Sequence, residues 1–169
     1  MVILEDTRQQ IKKHELKHQW FEKNGIKIER CRLYVGDYTL ANNQSICIDT
    51  KKDLQELCMD VCQDHERFKA ELIRAKDAGI KLIILVEHGG GITCLEDVFL
   101  WQNPRKHEVM WKWENGKRIR TVISDKAVDG DQLYKSLCTI RDRYGAEFAF
   151  CRKEETGKKI VELLGGEIE

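Results

Sequence analysis

The sequence predicts a single α/β domain, a central mixed β-sheet flanked by helices, with an inserted β-hairpin. Three observations carry that prediction. "KLIILVEH", residues 81–88, is a near-continuous apolar run of strand length, as a strand covered on both faces requires. Ahead of it, Leu54, Leu57, Cys58, Val61 and Cys62 recur at i, i+3, i+4, i+7 and i+8, one face of a helix. Behind it, "AEFAFC" lies between two helical stretches, so strands and helices alternate on both sides of the apolar run.

The chain opens on "VILEDT", a short buried strand. It passes into "RQQIKKHELKHQWFEKNG", where Ile11, Leu16 and Trp20 stand roughly at helical spacing and Asn24-Gly25 stops the helix. Lys12, Lys13, Lys17 and Lys23 read as its solvated face. "IKIERCRLYV", residues 26–35, alternates at first and predicts a strand. "DYTLA" and "SICIDT" flank the turn-forming "NNQ", which predicts two antiparallel strands in a tight hairpin. After the helix at Leu54 comes "HERFKAELIRAKDAG", with Phe68, Leu72 and Ala75 on one side, Arg67, Glu71 and Arg74 on the other, and Gly79 closing it. Glu87 reads as a cap for the end of the apolar strand. "LEDVFLW" predicts a short helix, and "EVMWKW" and "KRIRTVI" flank Asn115-Gly116, a strong hairpin signal, giving a projecting ribbon. The tail returns to a helix from about Asp131 to Tyr144, the strand "AEFAFC", and a helix through "KKIVELL". With no repeats, linkers or low-complexity segments, residues 1–169 read as one domain, with 92–130 an inserted helix and β-hairpin inside it.

Acidic and basic residues balance at 29 each, so the whole-molecule field steers neither nucleic acid nor membranes, and any anion-binding surface is local. No run approaches the roughly eighteen apolar residues of a membrane helix. "MVILEDTRQQ" becomes charged too early for a signal peptide, so a soluble, cytoplasmic protein is expected. Seven cysteines, an odd count, predict free thiols in a reducing compartment.

The segment "VGDYTLANNQSICIDTKKDL" holds Asp37 and, twelve residues on, Asp49-Thr50-Lys51. In the expected hairpin Asp37 lies at one strand end and Asp49 on the partner strand, where the carboxylates converge. Lys51 follows Asp49 by two, which puts both on one face. Converging carboxylates repel unless a cation neutralises them, and hard oxygen ligands favour Mg²⁺ or Mn²⁺. Such a metal polarises a phosphodiester and lowers the pKa of water, while an ammonium steadies the water or the phosphorus. Hydrolysis of nucleic acid fits this set. Spacing alone also admits a solvent-exposed aspartate on each strand and an ordinary lysine.

Four pieces in order resemble the nuclease domain of the XPF family of structure-selective DNA endonucleases, a branch of the restriction-endonuclease-like superfamily. "LEDTRQQ" is similar to the family's opening strand and its Asp-x-Arg-Glu, "VGDYTL" to its Gly-Asp, and "CIDTKKDL" to its Glu-Arg-Lys; "ERFKAELIRA" with "KLIILVE" is similar to its next helix and central strand. The resemblance covers most of the chain apart from residues 92–130. It implies a restriction-endonuclease-like core that cleaves branched or flapped DNA in repair or recombination with Mg²⁺ or Mn²⁺, in a bacterial or phage setting. Asp37 and Asp49 are then the metal ligands, Lys51 the catalytic lysine, and Asp6 an assisting acid, with Arg8 a further carried-over cation. A homodimer is also implied, and no small-molecule cofactor. The departures are Asp49 for the family's glutamate, Thr50 for its arginine, Gln9 for its opening glutamate, and Gln55 where an acid follows the lysine. Thr50 removes a cation near the scissile phosphate, for which Lys52 or Arg67 are candidate substitutes. Because Thr50 and Gln9 remove two polar groups of the family's site, a catalytically weak DNA-binding module with the same fold stands as the alternative, and plain double-strand scission as a third reading.

Cys58, Cys62 and His65 have a spacing that zinc accepts, but the two cysteines share the apolar stripe and no fourth ligand appears, so core packing is expected. The other histidines, 14, 18, 88 and 107, read as surface. Residues 101–126 gather Trp101, Trp111 and Trp113 among seven cations, Arg105, Lys106, Lys112, Lys117, Arg118, Arg120 and Lys126, against Glu108, Glu114 and Asp125, a local balance of +4. Lys112, Lys117, Arg118 and Arg120 on the ribbon are expected, with Arg8 and Arg67, to contact DNA phosphates. The tryptophans fit stacking on unpaired bases, or equally packing on the domain or a second subunit.

Overall fold

Alternation along the strands decides which face of the sheet each helix covers. The computed structural model describes residues 1–10, 15–122, 124 and 126–166. Ile11, Lys12, Lys13 and His14 of the expected first helix lie outside these, as do Ile123 and Asp125. In chain order come β1 (Val2–Asp6), α1 (Glu15–Lys23), β2 (Lys27–Cys31), β3 (Tyr38–Leu40), β4 (Asn43–Lys51), α2 (Leu54–Cys62), α3 (His65–Asp77) and β5 (Lys81–Glu87). Short 3₁₀ turns at Glu96–Leu100 and Pro104–Lys106 lead to β6 (Val109–Glu114) and β7 (Lys117–Val122), followed by α4 (Gly130–Tyr144), β8 (Glu147–Cys151) and α5 (Thr156–Leu163).

Six strands form one mixed sheet in the order β2-β1-β3-β4-β5-β8. β1 runs parallel to β2 and antiparallel to β3, β3 is antiparallel to β4, and β4, β5 and β8 are mutually parallel neighbours. The hairpin joining β3 and β4 is the one expected at "NNQ". Strand period two splits the core. Cys47, Leu82, Ile84 and Val86 pack with Leu54, Leu57, Phe68, Leu72, Leu133 and Leu137 from α2, α3 and α4. Ile3, Tyr38, Ile48, Ile83 and Leu85 pack with Phe21 of α1 and Ile160 and Val161 of α5 on the other face. No described helix is long and apolar enough to cross a membrane.

Several expectations need correction. On α1, Leu16 is exposed, while Lys17 and Phe21, one turn apart, form the buried stripe. Lys17 is therefore not part of a solvated face. Its ammonium meets Glu87 at 2.7 Å and lies over the Tyr38 ring, so Glu87 is an ion-pair partner rather than a strand cap. His18 is not a lone surface residue, because its Nε2 stands 2.7 Å from the fully buried Glu5, which also accepts from the Tyr38 hydroxyl. His88 accepts the Leu54 N–H. The physical reason is common to Lys17 and His18: β1 and β5 carry buried carboxylates, Glu5 and Glu87, near their ends, and buried charge demands partners.

Trp101 is buried at 8% exposure, packed in the α4 layer and so apart from the surface with which its sequence position grouped it. Gly130 makes that packing feasible, since a Cβ there would lie 2.5 Å from the Trp101 carbonyl oxygen. Cys58 is buried and Cys62 exposed, with their sulfurs 4.0 Å apart, and among the described residues no three metal-ligating side chains converge. All seven cysteines are free thiols.

Candidate active site

β3 and β4 bring the sequence-predicted acids together because the chain reaches β3 through Gly36. Its φ of +71° lies in the left-handed region, and a Cβ there would stand 2.9 Å from the Ile48 carbonyl oxygen. Glycine alone allows so close a pass over β4. Asp37, next along, donates its N–H to that same carbonyl at 2.7 Å, and its own carbonyl accepts the Asp6 N–H at 2.8 Å. Asp37 is thereby tied to both β4 and β1.

Thr50 fixes the Asp37 side chain. Its backbone N–H and its hydroxyl both donate to Asp37 Oδ2, at 2.8 and 2.7 Å. Among the described residues no side-chain bond falls on Oδ1. The residue that departs from the family's arginine thus orients the metal-ligand candidate beside it, a role no cationic side chain fills here.

Asp49 and Lys51 lie on one face of β4, as their spacing predicts, and that face is the one covered by α2 and α3. The Lys51 ammonium stands 2.8 Å from Asp49 Oδ2 and 2.7 Å from Asp60 Oδ2, with the Phe68 ring beneath it. Asp60, buried on α2, was not singled out from the sequence; its neighbours Cys58, Val61 and Cys62 suggested an apolar stripe. Arg67 approaches Asp60 at 3.7 Å from an exposed position on α3. Although burial alone would lower it, the Asp49 and Asp60 carboxylates hold the Lys51 ammonium well above the usual lysine range. Lys51 stays charged.

One ammonium between two carboxylates leaves Asp49 under-neutralised. Asp49 Oδ2 is buried, and its partner among the described residues is the Lys51 ammonium, which it shares with Asp60. Burial raises its pKa well above the usual carboxylate range, and the charges of Asp37 and Glu71 add to the rise, while Lys51 draws it down only in part. Glu71, on α3, accepts the Gly36 N–H at 2.9 Å, and its charge is felt at Asp49 from the helix side. Its helical spacing set it only opposite the apolar side of α3; a glutamate beside a glycine-aspartate turn has no sequence signature.

Asp6 is placed otherwise than as an assisting acid with free oxygens. Its carboxylate accepts from the Arg8 backbone N–H and guanidinium and from the Leu33 N–H, at 2.7–2.9 Å. Burial would raise its pKa, but these donors together hold it below the ordinary value. Arg8 is locked by the bidentate pair, half-exposed, with Glu71 and Asp37 in its field. The local cation is thus supplied by Arg8, in the turn that follows β1, rather than by position 50. Lys112, Lys117, Arg118 and Arg120 lie on the exposed β6–β7 ribbon, a sheet of its own.

The donor set suits a hard divalent cation. Asp37 offers an oxygen without a partner among the described residues and Asp49 a carboxylate that shares its one ammonium with Asp60, and Mg²⁺ is commonly held by one or two carboxylates with water and substrate phosphate completing its shell.

The chain matches the family model described as the ERCC4 domain over residues 5–163. No curated protein matches it in sequence. Among solved structures it is similar to XPF from Aeropyrum pernix, with a TM-score of 0.60 at 14% identity, and to the same protein in complex with DNA, with a TM-score of 0.60 at 15% identity. Each alignment covers 97% of this chain and 63% of that one, so the chain spans less than two thirds of the protein it matches. At such identity the likeness is one of fold.

Proposed function

The chain belongs to the ERCC4-domain family, and from that membership we propose that it is a DNA endonuclease hydrolysing phosphodiester bonds at Asp37, Asp49 and Lys51, with Mg²⁺ or Mn²⁺. The observation that carries the proposal is the charge balance of the cluster: the buried Asp49 carboxylate shares the one Lys51 ammonium with Asp60 and lies in the field of Asp37 and Glu71, so acids outnumber nearby ammonium groups. Such an excess of buried negative charge is costly unless a further cation joins it.

Asp37 and Asp49 are the residues that would hold the metal. When bound, the ion supplies Lewis acidity toward a phosphate oxygen and lowers the pKa of water. Hydrolysis forms one bond from water oxygen to phosphorus and breaks one bond from phosphorus to a sugar oxygen, which departs with the electron pair and takes up a proton. Lys51, kept cationic by Asp49 and Asp60, stabilises negative charge growing on the phosphate without reorganising, because both its partners are fixed on β4 and α2. Thr50 keeps Asp37 in its rotamer, and Asp6 keeps Arg8 extended toward the same acids, where its charge favours an incoming phosphate.

Branched or flapped DNA is the proposed substrate, in repair or recombination. The experiment that tests it is cleavage of labelled flap, four-way-junction and linear duplex DNA of matched sequence in Mg²⁺ or Mn²⁺. Cleavage of the branched substrates above the linear one is expected. Equal cutting of the linear duplex would replace branch selection by plain double-strand scission. DNA binding without cleavage of any substrate would leave a binding module.

A further inference from the structure

The β6–β7 ribbon is not explained by the candidate active site. It forms a two-stranded sheet separate from the core sheet, turned by Asn115 and Gly116 at φ +50° and +72°. Positive φ at both turn residues is what a two-residue hairpin needs to match strand twist. The register pairs Trp111 with Arg120 and Trp113 with Arg118. Opposed residues of an antiparallel pair point to the same side, and so do residues two apart. Both tryptophans and both arginines therefore share one face, while Lys112, Ile119 and Lys117 occupy the other.

This face is open. Trp113 is 76% exposed and Trp111 53%, with the Arg118 guanidinium 4.8 Å from the Trp111 ring centroid. Residues 109–122 carry Lys112, Lys117, Arg118 and Arg120 against Glu114, a balance of +3 in a chain whose net charge is zero. Large aromatic rings presented to solvent among guanidinium groups complement a polyanion that offers flat faces. An unpaired base has a free face, whereas a base in a duplex has both faces covered by its neighbours.

We propose that the Trp111–Trp113–Arg118–Arg120 face of the ribbon binds a single-stranded DNA segment, its bases stacking on the tryptophans and its phosphates meeting the arginines. The inference rests on the reading of DNA as the substrate and deepens it: the ribbon engages the unpaired arm of a branched substrate while the duplex lies at the acidic cluster. Arg118, held against Trp111 by cation–π attraction, is already positioned beside the base plane.

Fluorescence anisotropy in EDTA, where no cleavage intervenes, tests it with two labelled probes: a blunt duplex, and the same duplex carrying an oligo-dT tail. Wild type is expected to bind the tailed probe more tightly, with tryptophan emission quenched. Trp111→Ala/Trp113→Ala is expected to lose about tenfold or more on the tailed probe and little on the blunt one, as loss of base stacking does. Trp111→Phe/Trp113→Phe should recover much of the difference. Because the ribbon is exposed on both faces, an unchanged thermal midpoint checks that the variants fold. An equal loss on both probes would overturn the inference in favour of duplex phosphate contacts, and no loss on either would overturn it in favour of a protein covering this face. Tail preference without cleavage in Mg²⁺ would refute the nuclease reading and leave this inference standing, whereas cleavage without tail preference would do the reverse.

Discussion

Asp60 is the residue whose part in the site emerges only in three dimensions. It touches Lys51 at 2.7 Å yet lies nine residues beyond it on another element. If Asp60 acts by holding Lys51, Asp60→Asn should slow cleavage in a Lys51 protein and add nothing in a Lys51→Met background, whereas a purely structural role would add its loss in both. Single-turnover rates for the four proteins check this. Gly36 is a second single-residue hinge of the fold. Gly36→Ala forces an alanine into φ +71° and its Cβ against the Ile48 carbonyl, and a loss of about 2 kcal/mol or more in urea denaturation is expected. That Asp49 and Lys51 share a face was legible because a strand's period of two is written directly in spacing, while Asp37 was reached through the expected hairpin and the family resemblance. Glu71 and Asp60 were not, since helix residues reach the site through tertiary packing that no local pattern encodes.

At the scale of elements, α1 is docked by a charge as well as by apolar burial. Lys17 and Glu87 are both nearly inaccessible, so Lys17→Met leaves the Glu87 carboxylate buried without its cation. Uncompensated buried charge costs about 3–5 kcal/mol, and a thermal midpoint lowered by many degrees is expected in calorimetry. The sequence suggested the opposite for this helix: its amphipathic reading took Leu16 as inward and every lysine as outward. That error has a physical origin. A lysine can occupy a buried stripe when a strand end supplies a carboxylate, and hydropathy patterns are blind to the partner. The strands fared better, because apolar β5 and the alternation around "NNQ" depend on their own residues alone. On α2, burial pushes the Cys58 thiol up to about 12 while Cys62 is exposed. At pH 8 the exposed Cys62 should therefore react fastest with a thiol reagent, ahead of Cys94, which is exposed but whose thiol pKa, drawn down by the Asp97 backbone N–H, is raised on balance by the Glu96 and Asp97 side chains. Mass mapping of the labelled peptides should find Cys58 modified only after unfolding.

For the molecule as a whole, the balanced charge hides two opposed surfaces: an acidic cluster at the ends of β3 and β4, and a cationic aromatic ribbon on its own small sheet. The composition excluded global steering and was right to look for local fields. It did not reveal that Trp101 belongs to the core, because a buried and an exposed tryptophan read alike in a cation-rich segment. Whole-chain stability carries a signature of β1. Burial raises the Asp6 pKa less than Arg8 and Leu33 lower it, so folding depresses it. Its contribution is complete above the unfolded value of about 4 and is lost as the pH falls through the lower folded one. Urea midpoints between neutral pH and pH 3 should fall more steeply for wild type than for Asp6→Asn, which begins less stable and has no carboxyl to protonate there.

The most direct test of the active-site assignment pairs cleavage with metal binding in Asp49→Asn and Lys51→Met. Losing one preorganised charge from a transition state costs on the order of 10²-fold in rate. Both variants are expected to fall by that much on flap DNA, while calorimetric Mn²⁺ binding is lost in Asp49→Asn and retained in Lys51→Met. Undiminished cleavage in either variant, or Mn²⁺ binding unchanged by Asp49→Asn, would contradict the assignment of Asp49 to the metal and Lys51 to the developing charge.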